Sequence, residues 1–294
     1  MKYSNKYVLV IGGNGLLGTQ IVEQFSKCSQ VYALSNEINE SKKDIKFKTI
    51  KLDIKDKKEL HKTVKEICPE IIIHTAALTN LDFCEKNQKE AWAVNVEGTR
   101  NIAQICKEAG AKLVYVSTDY VFDGTKGMYK EDDPVNPINY YALTKYEGEK
   151  IVKELSNHLI CRTSVLYGNH PRPNFVVWAV RELQQNHKIN IVNDQYNSPT
   201  LADDLADTIL KLIQSDQTGT FHTAGSERIN RLDFTKKIAE IFDLDYSLVN
   251  PIKSDELSWV AKRPMDSSLD VSKVSKIKRP LNIEEGLIRM RDSQ

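Results

Sequence analysis

The 294-residue sequence has no surplus of either charge. Forty-one Lys and Arg face 40 Asp and Glu, a formal net charge of +1. Such a balance provides no general field to draw the chain onto nucleic acid or an anionic bilayer, and neither is expected as a partner. Long apolar runs are missing too, since nothing approaches the ~20 residues a membrane helix needs. The five cysteines, Cys28, Cys68, Cys84, Cys106 and Cys161, show no C-x-x-C spacing. That speaks against a disulfide framework and a zinc cluster, and no metal is expected. Behind Lys2 and Lys6 the apolar stretch breaks at Gly12, too short and too glycine-rich for an export signal, so a cytoplasmic location is expected. Internal repeats and low-complexity tracts are lacking as well.

What is there reads as a globular chain, 40% hydrophobic and 28% charged, long enough for one large α/β unit or a domain with an appendage. Short Val-, Ile- and Leu-rich runs at Tyr7 to Ile11, Gln30 to Leu34, Lys48 to Leu52, Ile71 to Thr75, Leu113 to Ser117 and Leu159 to Arg162 alternate with helical stretches. The pattern predicts an α/β fold, a Rossmann-type doubly wound parallel sheet covered on both faces. A helix is expected from Gln88 to Ala109 with Gly110 as its C-terminal cap. After Gly168 the texture changes: a loop at His170 to Pro173, a helix at Phe175 to Leu183, a strand at Ile189 to Val192, and helices at Leu201 to Ile213 and Leu232 to Phe242. Residues 1–168 are therefore expected to bind a dinucleotide. Residues 169–294 are expected to form mainly a smaller α/β substrate lobe, with room for some segments to return to the first domain.

Gly12-Gly13-Asn14-Gly15-Leu16-Leu17-Gly18 follows the first strand and opens a helix containing Ile21, Val22 and Phe25. Glycine permits the tight turn and a close approach of backbone to pyrophosphate, while the helix start supplies N–H groups and a partial positive charge. Where the second strand ends, an Asp or Glu would favour NAD by accepting from the ribose hydroxyls and repelling a 2′-phosphate. Here stand the neutral Ser35 and Asn36, so NADPH is the expected cofactor and NADH stays possible. Lys42 and Lys43 are close enough in sequence to add to a phosphate site, and Glu37 argues the other way.

Tyr141 and Lys145 share one face of a helix that follows Pro134 and Pro137. Carbonyl reduction needs a proton for the oxygen as hydride reaches the carbon, and a phenol serves better when a nearby ammonium lowers its pKa. Tyr146 and Lys150 repeat the spacing but lie about 140° around the helix. Only one pair can face the site.

The glycine turn, Ser117-Thr118-Asp119 and the Tyr141/Lys145 pair, in that order, resemble the extended short-chain dehydrogenase/reductase superfamily. His74-Thr75-Ala76-Ala77, Val94 through Thr99, Ser117 through Gly124, Asp194-Gln195 with Ser198-Pro199-Thr200, and Arg263-Pro264 with Ser268-Leu269-Asp270 narrow this. Together they resemble the dTDP-4-dehydrorhamnose reductase family, from Tyr7 to about Asp270. The resemblance implies that Thr118 orients the carbonyl, Tyr141 donates the proton and Lys145 holds the nicotinamide ribose. It implies a pyrophosphate cradle at Gly12, Gly15, Leu16, Leu17 and Gly18, and an adenine border at Asp53 and Ile54. Ala76 and Ala77 would line the nicotinamide path, with Asn95 a further cofactor residue. Asp119, Tyr120, Asn174, Phe175 and Arg263 would face a nucleotide-sugar. Simpler roles stand beside these: Asp53 as the cap of the next helix, Asn174 as the cap of the helix at Phe175, and Arg263 as a surface cation.

Two departures stand out. Val165 follows Ser164 where many of the family carry Trp, which opens the question of the sugar's identity, and Asn197 stands where Gly is frequent. The implied activity is reduction of the 4-keto group of a nucleotide-activated deoxysugar, by a chain that could form a homodimer. Two alternatives stay open. One is a nucleotide-sugar epimerase; the other is a non-catalytic NADP-binding regulatory subunit such as that of methionine adenosyltransferase, which resembles the same family. A sugar 4,6-dehydratase would carry Glu after Thr118-Asp119, and this chain has Tyr120.

Overall fold

A computed structural model describes residues 6–37 and 47–293. Lys2, Lys42 and Lys43 lie outside the described residues. The first half runs β1 (Tyr7–Ile11), α1 (Leu16–Phe25), β2 (Gln30–Ser35), β3 (Lys48–Lys51), α2 (Lys57–Ile67), β4 (Ile71–His74), α3 (Leu81–Lys86), α4 (Gln88–Trp92), α5 (Gly98–Ala109), β5 (Lys112–Thr118), α6 (Tyr140–Lys153) and β6 (His158–Thr163). The second runs β7 (Leu166–Tyr167), α7 (Phe175–Gln184), β8 (Ile189–Val192), β9 (Tyr196–Asn197), β10 (Thr200–Leu201), α8 (Ala202–Gln214), β11 (Gly219–His222), β12 (Ile229–Asn230), α9 (Arg231–Phe242), β13 (Val249–Ile252), α10 (Ser272–Ser275) and α11 (Ile283–Asp292).

Alternation along β1 explains the layers. Val8 and Val10 point to one face, where they pack with Leu17, Ile21 and Phe25 of α1 and Leu205 and Ile209 of α8. Leu9 and Ile11 point to the other, against Leu60 of α2, Ile102 of α5 and Val152 of α6. Each fully buried aliphatic side chain contributes roughly 1.5–3 kcal/mol by leaving water. A strand apolar on both sides is stable only between two helical layers, hence the all-parallel seven-stranded sheet in the order β11-β6-β5-β4-β1-β2-β3. Chain order reverses between β1 and β4, and such a switch point opens a crevice at the strands' carboxyl ends.

Three elements downstream of residue 168 belong to this layered unit: α8 packs on α1, β11 pairs with β6, and α10 packs on β11 with Val274 in the same core. The remaining C-terminal elements enclose a separate core that includes Tyr167, Val176, Ile191, Phe234, Ile238 and Leu287.

The helix expected from Gln88 to Ala109 is interrupted. Between α4 and α5 the chain makes a π turn at Ala93–Glu97. Its Asn95 is buried and gripped from outside the helix, accepting from Leu78 N (2.8 Å) and donating to Leu78 O (3.0 Å) and Thr144 Oγ1 (2.9 Å). Gly98, which follows, lies where a Cβ would stand 2.6 Å from Ile54 Cδ1. Tertiary contacts thus override the regular hydrogen-bond ladder, as π turns near functional sites commonly do. Gly110 ends α5 at φ +66°. Among the described residues no helix is long and apolar enough to cross a membrane, and no cluster of His, Cys, Asp and Glu has the makings of a metal site.

Candidate active site

The crevice begins at the glycine turn. The N–H groups of Gly12 and Gly13 both donate to Leu34 O (2.7 and 3.2 Å), hanging the turn from the end of β2. Gly12 has φ +91°, and a Cβ on Gly18 would collide with the Gly12 carbonyl, so both positions need glycine. Gly15 precedes α1 without a side-chain cap, leaving the first-turn N–H groups, with Leu16 and Leu17, for an anion. A cleft of about 310 Å³ runs from this turn along Ser35, Asn36, Asp53, Ile54, Ala76 and Ala77. Asp56, whose side chain accepts from Glu59 N, caps α2. Asp53 instead accepts from Lys55 N (2.9 Å) at the cleft's rim.

A second cavity, about 500 Å³, shares Gly15, Thr75, Ala77 and Arg172 with the first and contains Thr118, Tyr141 and Lys145. β5 delivers Thr118 at its carboxyl end, and α6, capped by Asn139 through Ala142 N (2.8 Å), delivers Tyr141 and Lys145 on its buried face. The duplicate pair is turned away. Lys150 is exposed, bonded to Glu147 (2.7 Å) and lying 4.7 Å over the Tyr146 ring, and neither residue lines the cavity.

Lys145 Nζ donates to Val116 O (2.9 Å) and sits 4.0 Å over the Tyr115 ring. Burial pulls its pKa down to about 7 against the opposing pull of Glu149. Burial raises the Tyr141 pKa above its ordinary value, and Thr118's hydroxyl is the opposing influence. Both groups lose water, and desolvation favours the neutral form of each.

Asp119 is buried, accepting from Ser164 Oγ (2.7 Å), Ser267 Oγ (2.5 Å) and Thr118 Oγ1 (3.0 Å). Burial raises its pKa while these hydroxyls hold it down. Asp119 thereby pins β5 to two segments far along the chain. Under the site, Glu149 receives Ser117 Oγ (2.6 Å) and two guanidinium bonds from Arg162 (2.9 and 2.8 Å), with both partners about 1% exposed or less. Burial would raise its pKa, but the Arg162 pair prevails and lowers it. This network escaped the sequence reading, although Glu149 stands one helical turn after Lys145.

The remaining expected residues are dispersed. Tyr120 lines the 500 Å³ cavity. Asn174 also lines it, while capping α7 through Val177 N (3.3 Å) and donating to Gly168 O (2.8 Å). Phe175 lies outside, stacked 5.8 Å from Phe234. Arg263 lies outside as well, paired with Asp82 (2.7 Å) and 4.5 Å over Trp259. Asn95 is occupied within the fold, as described above. Lining residues to which the sequence reading gave no role include Thr79, Thr163, Arg172 and Arg231. Val165 lines the cavity with φ +41°, a costly conformation for a β-branched side chain and one that concentrates at ligand sites. A cavity of about 670 Å³ lies at the opposite ends of the strands among His61, Lys65, Cys68 and Glu108. It too is lined by charged groups, Glu70 and Lys112 among them, but it lies away from the glycine turn, Thr118, Tyr141 and Lys145, so size does not select the site.

The family model for the RmlD substrate binding domain matches residues 6–292. The chain is 32% identical over 274 residues to the probable low-salt glycan biosynthesis reductase Agl14 of Haloferax volcanii, covering 91% of each. It is 33% identical over 281 residues to methionine adenosyltransferase 2 subunit beta of Bos taurus, covering 92% of this chain and 82% of that protein. The crystal structure of dTDP-4-dehydrorhamnose reductase from Bacillus anthracis in complex with NADP superposes with a TM-score of 0.90 at 34% identity, over 99% of this chain and 100% of that one.

Proposed function

We infer the activity from one premise: the chain belongs to the RmlD substrate binding domain family, within the extended short-chain dehydrogenase/reductase superfamily. It is an NAD(P)H-dependent oxidoreductase that reduces the 4-keto group of a nucleotide-activated deoxysugar. The observation that carries this is the meeting of Thr118, Tyr141 and Lys145 in one cavity continuous with the glycine-turn cleft. The cleft suits a dinucleotide: a turn with no room for side chains, an uncapped helix start for pyrophosphate, and neutral Ser35 and Asn36 compatible with the 2′-phosphate of NADPH.

When bound, the nicotinamide supplies a hydride to the carbonyl carbon. Tyr141, kept neutral by burial, gives its proton to the oxygen, so that C=O becomes CH–OH. Thr118 hydrogen-bonds the same oxygen, while Asp119, tied to Ser164 and Ser267, keeps that stretch in place. Lys145 holds the nicotinamide ribose and steadies the phenolate left after proton transfer. Asp119, Tyr120 and Asn174 shape the substrate end, with Phe175 behind them and Arg263 at its approach. Residues 1–168, with the returning α8, β11 and α10, hold the dinucleotide, and the rest of 169–294 holds the sugar nucleotide. The reading carries a cytoplasmic location and a possible homodimer with it.

The test is steady-state loss of nicotinamide absorbance with NADPH against a panel of nucleotide-linked 4-keto sugars. Turnover is expected with at least one. Tight NADP binding without turnover on any would favour the regulatory-subunit reading, which the 33% identity to methionine adenosyltransferase 2 subunit beta supports. NAD retained through purification would favour an epimerase.

A further inference from the structure

Arg231 is the first residue of α9, directly after Asn230, whose side chain caps the helix through Asp233 N (2.8 Å). Its guanidinium lies 4.7 Å over the Phe175 ring and lines the cavity that holds Thr118, Tyr120 and Tyr141. The main chain around it is secured: its N–H donates to Gln195 O (3.2 Å), and Thr235 Oγ1 donates to its carbonyl (2.9 Å). The side chain is different. Nη1 is buried and has no hydrogen-bond partner among the described residues.

The other arginines near the site show what is missing. Arg162 makes a two-bond pair with Glu149, and Arg263 is paired with Asp82. An enclosed guanidinium N–H without an acceptor opposes folding, so its presence calls for an acceptor that arrives from outside. The lining charges say which kind. Lys145, Arg172 and Arg231 face a single carboxylate, Asp119, whose oxygens already receive three hydroxyls. Lys145 is bonded to Val116 O, and Arg172 is paired with Glu37 (2.9 Å). The glycine turn and α1 serve a cofactor pyrophosphate. Arg231 is left, at the positive end of a twelve-residue helix. Burial favours its neutral form, with Tyr120 and Asp119 opposing, and a guanidinium nevertheless stays charged in a protein.

We propose that Arg231 binds the diphosphate of the nucleotide-linked substrate, with Phe175 as the platform that sets the plane of its guanidinium. This rests on the nucleotide-sugar part of the function inferred above, and it gives Phe175 a role through Arg231 rather than through direct contact. A planar two-pronged cation matches phosphate oxygens, and a stacked one is already oriented for them.

Calorimetric titration of the full chain, saturated with NADP, tests it with dTDP and UDP as probes and thymidine as the uncharged control. Arg231→Gln should weaken whichever diphosphate binds by ~thirtyfold, within the range of a charge-assisted pair. Arg231→Lys should recover part of the loss. Thymidine and NADP affinities should be unchanged, and the melting temperature of Arg231→Gln should not fall, because a guanidinium N–H enclosed without an acceptor is removed. Unchanged diphosphate affinity in Arg231→Gln would overturn the proposal. So would equal losses for thymidine and diphosphate, or a wild type that binds neither dTDP nor UDP. The titration needs no turnover, so a chain that binds dTDP through Arg231 yet reduces no ketone would end the reductase reading and leave Arg231's role standing.

Discussion

At the cofactor end of the crevice the contacts come from backbone, with Gly12 and Gly13 hung from Leu34 O and α1 opening uncapped behind Gly15. At the substrate end they come from side chains gathered across the chain: Thr118 from β5, Asn174 from the start of α7 and Arg231 from the start of α9. A backbone-built end depends on a few glycines within seven consecutive residues. An end built from side chains depends on distant segments holding their positions, as Asp119 does by pinning Ser164 and Ser267. Substitutions at the first should alter which cofactor is preferred, and substitutions at the second should alter substrate binding.

Tyr141 stands where the two ends meet, and it should show the largest effect. Tyr141→Phe keeps the ring and removes the proton donor, so kcat should fall by about two orders of magnitude or more with folding intact. Tyr146→Phe, on the far side of α6, should stay near wild type. Stopped-flow or steady-state rates decide between them, and the reverse ranking would place the active face of α6 wrongly.

Next comes the substrate end. If Arg263 contributes to holding a diphosphate remote from the reacting carbonyl, its binding is uniform between ground and transition states. Arg263→Ala should then raise KM for the nucleotide-sugar by ~thirtyfold with a smaller change in kcat, and Lys should restore only part. An unchanged KM would leave Arg263 as the partner of Asp82 and Trp259 alone, and Arg231 as the cation of that end.

A smaller change is expected at the cofactor end. Ser35→Asp sets a carboxylate beside the position of a 2′-phosphate. The ratio of kcat/KM for NADPH over NADH should drop by about tenfold or more through repulsion. A wild type that already prefers NADH would remove the basis for NADPH selection.

The smallest effect is in stability against pH. Burial holds the folded Lys145 pKa near 7, below the usual Lys value of 10.5. Below pH 7 both folded and unfolded chains carry the proton, and the full cost of burying the charge is present. Between about 7 and 10.5 the unfolded chain binds more protons, so this residue makes stability rise with pH, by at most about 1.4 kcal/mol per unit. Denaturation of the wild type between pH 7 and 8.5, compared with Lys145→Met, should show that slope lost in the variant. Parallel slopes would mean that Lys145 is not desolvated.

Much of the molecule was legible before folding because its signals are local. The alternation of β1, the Gly12 to Gly18 turn and the cap at Gly110 each lie within a few consecutive residues, where periodicity and backbone sterics act directly. The Gln88 to Ala109 stretch was legible as helix, but its π turn was not, since Leu78 and Thr144 impose it through Asn95 from other elements. The sequence by itself determined the doubly wound sheet, the dinucleotide turn and a Tyr/Lys pair on one helix face, for these follow from residue spacing alone. Spacing alone left Tyr141 and Tyr146 equal, the family resemblance favoured Tyr141, and the tertiary structure puts Tyr141 in the cavity, with Asn174 both capping a helix and lining that cavity. The tertiary structure alone decided that Arg263 meets Asp82 while Nη1 of Arg231 has no partner among the described residues. Those outcomes depend on which side chains surround a group, and hence on its water and its partners, and contacts between residues tens to hundreds of positions apart leave no periodic trace in the chain.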